Sequence, residues 1–125
     1  MNEDFVPYEL AVKLKEKGFR EKCHKHFYPN SKDWFLSSTL ECDNYSSYVD
    51  APTIYQVLKW LRKEKKIHLA VEISDSGWHY ILYPNIGWEN GELKSDKWFY
   101  SFNYKSSYEL AAIAGIEYVI DNNLI

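Results

Sequence analysis

The sequence is poor in cysteine, and it has neither a long apolar run nor a linker rich in glycine, proline or serine. Its 125 residues include two cysteines, five glycines and four prolines. Cys23 and Cys42 are too few for a disulfide framework and have no Cys-x-x-Cys spacing, so we expect free thiols in a reducing compartment. No segment approaches the roughly 20 apolar residues of a membrane-spanning helix. These absences exclude a disulfide-stapled scaffold and a helical membrane protein.

Short motifs that mark common cofactor and catalytic sites are also missing. The sequence has no Gly-x-Gly-x-x-Gly or Gly-Lys-Ser/Thr phosphate loop, and no Gly-x-Ser-x-Gly element that would expose a serine nucleophile. The first ten residues, MNEDFVPYEL, lack the basic and apolar regions of a signal peptide. We therefore expect a cytoplasmic protein with no cofactor and no membrane partner.

Aromatic residues, by contrast, are abundant. They make up 18% of the chain, and in the segment 98–104 they alternate with a period of two, with Trp98, Tyr100, Phe102 and Tyr104 on one side. Rings in this number form either the core of a small sheet or a stacking surface for a ligand. The sequence leaves both interpretations open.

Charge is segregated along a chain whose net charge is −3. Residues 13–32 and 59–66 are basic, whereas residues 67–125 are acidic. Two basic stretches could face an anionic partner, or they could simply be solvated helix surfaces.

Three helices are predicted. The first begins at Pro7 and ends at Gly18-Phe19, which is typical of a left-handed cap with a hydrophobic contact. The second begins with a capping box over 53–56, and its apolar residues at i, i+3, i+4 and i+7 indicate burial of one face. These residues are Ile54, Val57, Leu58 and Leu61. The third begins with a second capping box over 106–109, and its apolar residues cover most of its surface.

The clearest β-structure is a hairpin over 67–83 with a turn at 75–77. Pairing Ile73 with Trp78 makes one face apolar throughout, which fixes the register. The same register places Glu72 opposite His79 and His68 opposite Tyr83. We also predict strands over 22–28, 34–39 and 97–104, and polar loops over 43–50 and 85–96.

The predicted fold class is therefore α+β. We expect a single domain over residues 1–125, with one antiparallel sheet of three to five strands and about three helices packed mainly on one face.

Candidate metal ligands are concentrated in Cys23-His24-Lys25-His26. On a strand, His24 and His26 would share one face about 7 Å apart, while Cys23 would point the other way. A complete site needs further ligands from elsewhere in the chain, and no spacing matches a zinc pattern. A metal site and a polar strand face are both left open.

Candidate catalytic and ligand-binding residues come from the hairpin and from isolated rings. Glu72 and His79 are the candidate acid–base pair, because a carboxylate beside an imidazole can orient it as a base. The same pair needs no function as a cross-strand contact. The candidate ligand-binding residues are Trp34, Trp88, His68 and Tyr83.

Three segments resemble one group of small proteins. They are the helix from Tyr8-Glu9-Leu10-Ala11 to Lys17-Gly18-Phe19, the middle segment Ala51-Pro52-Thr53 with Tyr55-Gln56 and Trp60-Leu61, and the helix that begins at Tyr108-Glu109-Leu110-Ala111. The chain resembles uncharacterised proteins of gut Bacteroidetes and their phages or prophages. The resemblance implies a mobile-element origin and assigns no activity.

Three functions follow as hypotheses. The first is a non-enzymatic binding or interaction module with a protein partner. The second is a nucleotide or nucleic-acid binding protein that uses exposed rings and the basic stretches. The third is a small hydrolase centred on Glu72 and His79.

Overall fold

The computed structural model describes residues 4–95, 99–101 and 103–125. The described residues form three helices and eight strands, which confirms the α+β class. In chain order these are α1 (Tyr8–Glu16), β1 (Cys23–Phe27), β2 (Trp34–Glu41), β3 (Val49–Ala51), α2 (Ile54–Glu64), β4 (His68–Ser74), β5 (Gly77–Tyr83), β6 (Gly87–Glu89), β7 (Glu92–Lys94), β8 (Phe99–Tyr100) and α3 (Tyr108–Asp121).

The strands are distributed among three antiparallel sheets, whereas the sequence suggested one. Their orders are β2-β1-β3, β4-β5-β8 and β6-β7, so two of the sheets have three strands, the lower end of the predicted range. The chain divides into two compact units: unit 1 ends at Tyr55, and unit 2 begins at Gln56. The single domain stays a prediction.

Helix α1 of unit 1 ends as its sequence predicts. Gly18 has φ +90°, and its N–H donates to the Lys15 carbonyl at 3.1 Å. The next N–H, that of Phe19, donates to the Leu14 carbonyl at 3.0 Å, and the Phe19 ring is buried. This pair of bonds is the Schellman motif, which glycine favours because the left-handed conformation costs it nothing.

The sheet of unit 1 is centred on β1. Strand β1 pairs with β2 on one side and with β3 on the other, and its register with β2 shifts between Cys23 and Lys25. The segment 43–50 was predicted to be a loop throughout, but its last two residues begin β3.

The hairpin of unit 2 has the predicted register. All seven pairs of β4 and β5 are in place, from His68 opposite Tyr83 to Ser74 opposite Gly77. Leu82 is buried on the predicted apolar face, whereas Ile73, near the turn, is exposed. The other face of β5 buries Ile81 too, and β5 is the central strand of its sheet.

Helix α3 packs against β4 and β5. Its N-cap is Ser107, whose side chain accepts a hydrogen bond from the Leu110 N–H at 3.2 Å. The predicted capping box began one residue earlier, at Ser106, so this prediction was wrong by one position. Among the described residues, no helix combines the length and apolar character needed to cross a bilayer.

The predicted loop 85–96 contains a hairpin instead. Strands β6 and β7 pair through Trp88 and Leu93, and the turn residues Asn90 and Gly91 have φ +52° and +78°. Two consecutive residues with positive φ form the type I′ turn that Asn-Gly favours. Of the predicted strand 97–104, residues 99 and 100 form β8, while residues 97, 98 and 102 lie outside the described residues.

We expect Gly115→Ala to lower the free energy of unfolding by about 1–3 kcal/mol, because it overpacks the contact between α3 and the hairpin. A Cβ atom on Gly115 would lie 2.7 Å from Leu69 Cδ1 and 3.0 Å from Tyr80 Cγ. This clash exceeds the gain of about 1 kcal/mol in helix propensity. Urea denaturation measures the effect, with Leu110→Ala at an exposed position of α3 as the control. A Gly115→Ala protein as stable as the wild type would contradict the packing.

Candidate functional site

A cleft of about 620 Å³ lies in unit 2, at the edge of the β4–β5 hairpin. Helix α2 contributes a residue from its last turn, the hairpin contributes three residues, and the segment through β7 contributes the rest. The lining residues are Arg62, His68, Ala70, Tyr83, Ile86, Leu93, Lys94 and Ser95. The cleft therefore combines apolar side chains with two cations and two rings.

His68 and Tyr83 are brought together in this cleft by the strand register. They are opposite each other on β4 and β5, and their ring centroids are 5.8 Å apart with the planes at 27°. Both were candidate ligand-binding residues, and both line the cleft. A stacked pair of half-buried rings presents a flat surface that suits a planar ligand.

Arg62 supplies the positive charge of the cleft. Its side chain is half-buried, and among the described residues no carboxylate lies within ion-pair distance of it. Burial lowers the pKa of His68, and the nearby Arg62 guanidinium lowers it further. An unpaired guanidinium beside an uncharged imidazole is a suitable arrangement for an anion.

The far wall of the cleft is the β6–β7 hairpin. The Ile86 N–H donates to the Lys66 carbonyl at 2.8 Å, and the Ser95 hydroxyl donates to the Pro84 carbonyl at 2.6 Å. Lys94 forms an exposed ion pair with Glu92 at 2.9 Å. These bonds place the hairpin beside the His68–Tyr83 rings.

The two tryptophans among the candidates are both exposed. Trp88 is 76% exposed and lines an adjoining cleft of about 440 Å³, which shares Lys94 and Ser95 with the first. Trp34 belongs to unit 1, where it is 53% exposed. It is not among the lining residues of either cleft.

Glu72 and His79 are opposite each other on β4 and β5, as predicted. Their side chains have different environments, because Glu72 is exposed and His79 is only 2% exposed. The His79 ring packs edge-on against Tyr104 at 5.4 Å. Neither residue lines the two clefts described above. The acid–base role stays a prediction.

His24 and His26 have different environments, although the strand pattern predicts that they share one face. Cys23 and His26 are buried, whereas His24 is exposed. The ring of His24 contacts the Ser37 carbonyl through Nδ1 at 3.2 Å. Near His24 the register of β1 with β2 shifts, because five positions of β2 lie opposite two of β1.

His26 is attached to the segment 43–50 through Asp50. Its Nδ1–H donates to Asp50 Oδ1 at 2.7 Å, while its Nε2 is buried and has no hydrogen-bond partner among the described residues. The ring is therefore held by a hydrogen bond through Nδ1. The Phe35 ring stacks on the His26 ring, with the two centroids 5.2 Å apart.

Asp50 accepts further hydrogen bonds from the start of the same segment. Its carboxylate accepts the backbone N–H groups of Asp43, at 2.9 and 3.0 Å, and of Asn44, at 3.1 Å. The Asn44 side chain in turn accepts the Asp50 N–H at 2.8 Å and donates to the Phe19 carbonyl at 2.9 Å. Asp50, Asn44 and His26 form a buried polar network, which satisfies groups that would otherwise be costly to bury.

The donors that could hold a metal ion in unit 1 belong to the same network. They are His26, Asp43 and Asp50, whose ligand atoms lie within 4.8 Å of one another. Two ligands of one tetrahedral zinc ion would be about 3.3 Å apart, given bonds near 2.0 Å, whereas His26 and Asp50 are 2.7 Å apart. The His26–Asp50 spacing fits a hydrogen bond better than a shared ion, while His26 Nδ1 lies 3.3 Å from Asp43 Oδ2. The metal site and the polar strand face both stay hypotheses.

The two cysteines are close to this network. Burial raises the pKa of Cys23, and the negative charge of Asp50 adds to the effect. Burial also raises the pKa of Cys42. Thiols with raised pKa values carry little thiolate at neutral pH, so neither cysteine is activated as a nucleophile.

Six lining residues of the cleft were not candidates: Arg62, Ala70, Ile86, Leu93, Lys94 and Ser95. The Asn-Gly dipeptide at 90–91 is a signal that could have found the hairpin wall. No comparable sequence signal identifies Asp50 as a buried residue, because it lies in a polar stretch.

Comparison with known families, curated proteins and solved structures finds no match. The resemblance to phage and Bacteroidetes proteins stays a prediction.

We expect Arg62→Gln to raise the pKa of His68 toward its ordinary value of 6.5, because it removes a neighbouring positive charge. NMR titration of the imidazole C–H signals measures this pKa, and Lys63→Gln at the next, exposed position of α2 is the control.

The lowered pKa of His68 also determines how the stability of the folded chain depends on pH. A folded-state pKa below 6.5 means that His68 protonates less readily in the folded chain. Its contribution to stability is therefore complete above about pH 6.5 and declines as the pH falls below that value. A His68 pKa that is unchanged in Arg62→Gln would contradict the electrostatic coupling.

We expect Asp50→Ala to lower the free energy of unfolding by about 3–5 kcal/mol, because it leaves the buried His26 Nδ1–H without its acceptor. Two backbone N–H groups lose their acceptor as well. Asp50→Asn should cost less, since it retains one carbonyl oxygen. Urea denaturation compares both with Asp33→Ala, an exposed aspartate, and a loss below about 1 kcal/mol for Asp50→Ala would refute the role of the network.

Proposed function

We propose that the protein is a non-enzymatic binding module whose cleft in unit 2 binds a small planar anion of the nucleotide class. The observation that carries this proposal is the half-buried Arg62, which lines an apolar cleft and has no carboxylate partner among the described residues. A cation that loses part of its water without gaining a partner is less stable than a fully solvated one. An anionic ligand would supply the missing charge.

The stacked rings are the evidence that the ligand has a planar group. His68 and Tyr83 offer a flat surface, and Ala70, Ile86 and Leu93 offer apolar contacts around it. A nucleobase stacks on such rings through its π face, and a phosphate accepts two hydrogen bonds from a guanidinium. The volume of about 620 Å³ is within the range of small-molecule sites.

Lys94 is the second cation of the cleft, but its contribution should be smaller. Its ammonium is paired with Glu92, and both side chains are exposed. Exposed ion pairs contribute little, because water and salt screen them. We therefore assign the main anion contact to Arg62.

We expect Arg62→Gln to weaken the binding of a nucleoside monophosphate at least about tenfold, which corresponds to about 1.4 kcal/mol. Isothermal titration calorimetry with AMP measures the dissociation constant, and Lys63→Gln should change it less than about twofold because Lys63 is not in the cleft. Adenosine, which lacks the phosphate, should bind the wild type and Arg62→Gln equally. Equal affinities for AMP and adenosine in the wild type, or no binding of either, would refute the proposal.

A protein partner is the second candidate, and the β6–β7 hairpin is the observation that favours it. Trp88 and Leu93 are opposite each other, and Leu93 is 61% exposed. Large apolar side chains side by side at the surface are typical of a contact site. Under this alternative, Trp88→Ala would abolish partner binding, whereas Arg62→Gln would leave it unchanged.

A further inference from the structure

Three aromatic rings of unit 1 surround one ammonium group. Lys25 Nζ lies 4.5 Å from the ring centroid of Trp34, 5.1 Å from that of Phe5 and 5.4 Å from that of Phe27. Phe27 and Trp34 are opposite each other on β1 and β2, and Phe5 is held beside the sheet by a bridge to Thr53. We call these three rings the Lys25 cage.

The ammonium in the Lys25 cage has contacts with rings alone. Among the described residues, no carboxylate or carbonyl oxygen lies within hydrogen-bond or ion-pair distance of Lys25. The side chain is half-buried, and burial lowers its pKa. The three N–H groups therefore lose water without gaining an acceptor, and only the negative faces of the rings offset this loss.

This environment suits a methylated ammonium better than a primary one. A quaternary ammonium has no N–H group and so needs no acceptor, while its positive charge is still attracted by ring faces. Its methyl groups would also make apolar contacts with the rings. A quaternary ammonium therefore suits the cage better than the primary ammonium of Lys25 does.

We infer that the Lys25 cage is a binding site for small quaternary ammonium cations and that Lys25 is its built-in competitor. The Lys25 cage shares no residue with the cleft in unit 2. Trp34, which is exposed, was a candidate ligand-binding residue on sequence grounds. In this proposal its ligand is a cation. Because Lys25 is part of the chain, it competes at a high effective concentration, and removing it should raise the affinity for an external cation.

A single contact between a lysine and a ring would not carry this inference. In unit 2, Lys65 Nζ lies 5.2 Å from the ring centroid of Trp60, and a contact with one ring is a weak attraction. The Lys25 cage differs because three rings converge on one point. Lys65 therefore supplies a matched control.

The test compares choline with 3,3-dimethylbutan-1-ol, its uncharged isostere. Titrations are followed by NMR through the indole N–H signal of Trp34 and the ring signals of Phe5 and Phe27. We expect Lys25→Ala to bind choline at least about tenfold more tightly than the wild type, because three competing cation–π contacts are removed together. Lys65→Ala should match the wild type, and the double variant with Lys25→Ala and Trp34→Ala should lose the gain.

Three outcomes would overturn the inference. They are equal binding of choline and the isostere to Lys25→Ala, equal choline affinities for Lys25→Ala and the wild type, and signal changes that lie outside the cage. Circular dichroism establishes that each variant is folded. If Lys25→Ala is unfolded, Lys25→Gln removes the charge while keeping a polar side chain of similar length, and it must show the same gain in affinity.

Discussion

The antiparallel pairing of β4 with β5 is the interaction on which unit 2 depends. Its seven pairs fix which residues face α3 and which reach the cleft. A shift of one residue would turn every side chain to the opposite face. Leu69 would then leave the Gly115 contact, and His68 would leave Tyr83. Packing and the candidate site are therefore set by one register.

In unit 1 a buried hydrogen-bond network takes the corresponding role. Asp50 joins the segment 43–50 to β1 through His26, and Asn44 joins the same segment to the end of α1 through the Phe19 carbonyl. A polar network of this kind is favourable only while every strong donor keeps its acceptor. The loop is thus positioned by directional bonds, whereas the hairpin of unit 2 is positioned mainly by apolar burial.

Sequence reasoning succeeded where local patterns decide the structure. The Gly18-Phe19 cap and the β4–β5 register both follow from residues within a few positions of one another, and the structure confirms both. The register also placed His68 beside Tyr83, so both rings of the cleft were predictable. Asn90-Gly91 is also a local signal for a hairpin turn, but the segment 85–96 was predicted to be a loop.

The remaining features depend on contacts between distant segments. The register of β1 with β2 shifts between Cys23 and Lys25 because β2 has extra residues there, and alternation alone cannot reveal such a shift. Asp50 meets His26 across 24 positions of sequence, and Arg62 reaches the cleft from a different element than His68 does. The Lys25 cage combines three separate segments. Nothing in the sequence indicates that their rings surround one ammonium.

The two-stranded β6–β7 wall has an energetic consequence for any occupant of the cleft. A pair of strands is marginally stable in water without further support, and the bonds of Ile86 and Ser95 are the described hydrogen bonds that tie this segment to its surroundings. Its amides should therefore exchange with solvent through local opening that costs far less free energy than global unfolding. An occupant that contacts Leu93 must hold this wall closed, so part of its intrinsic affinity is spent on ordering the protein.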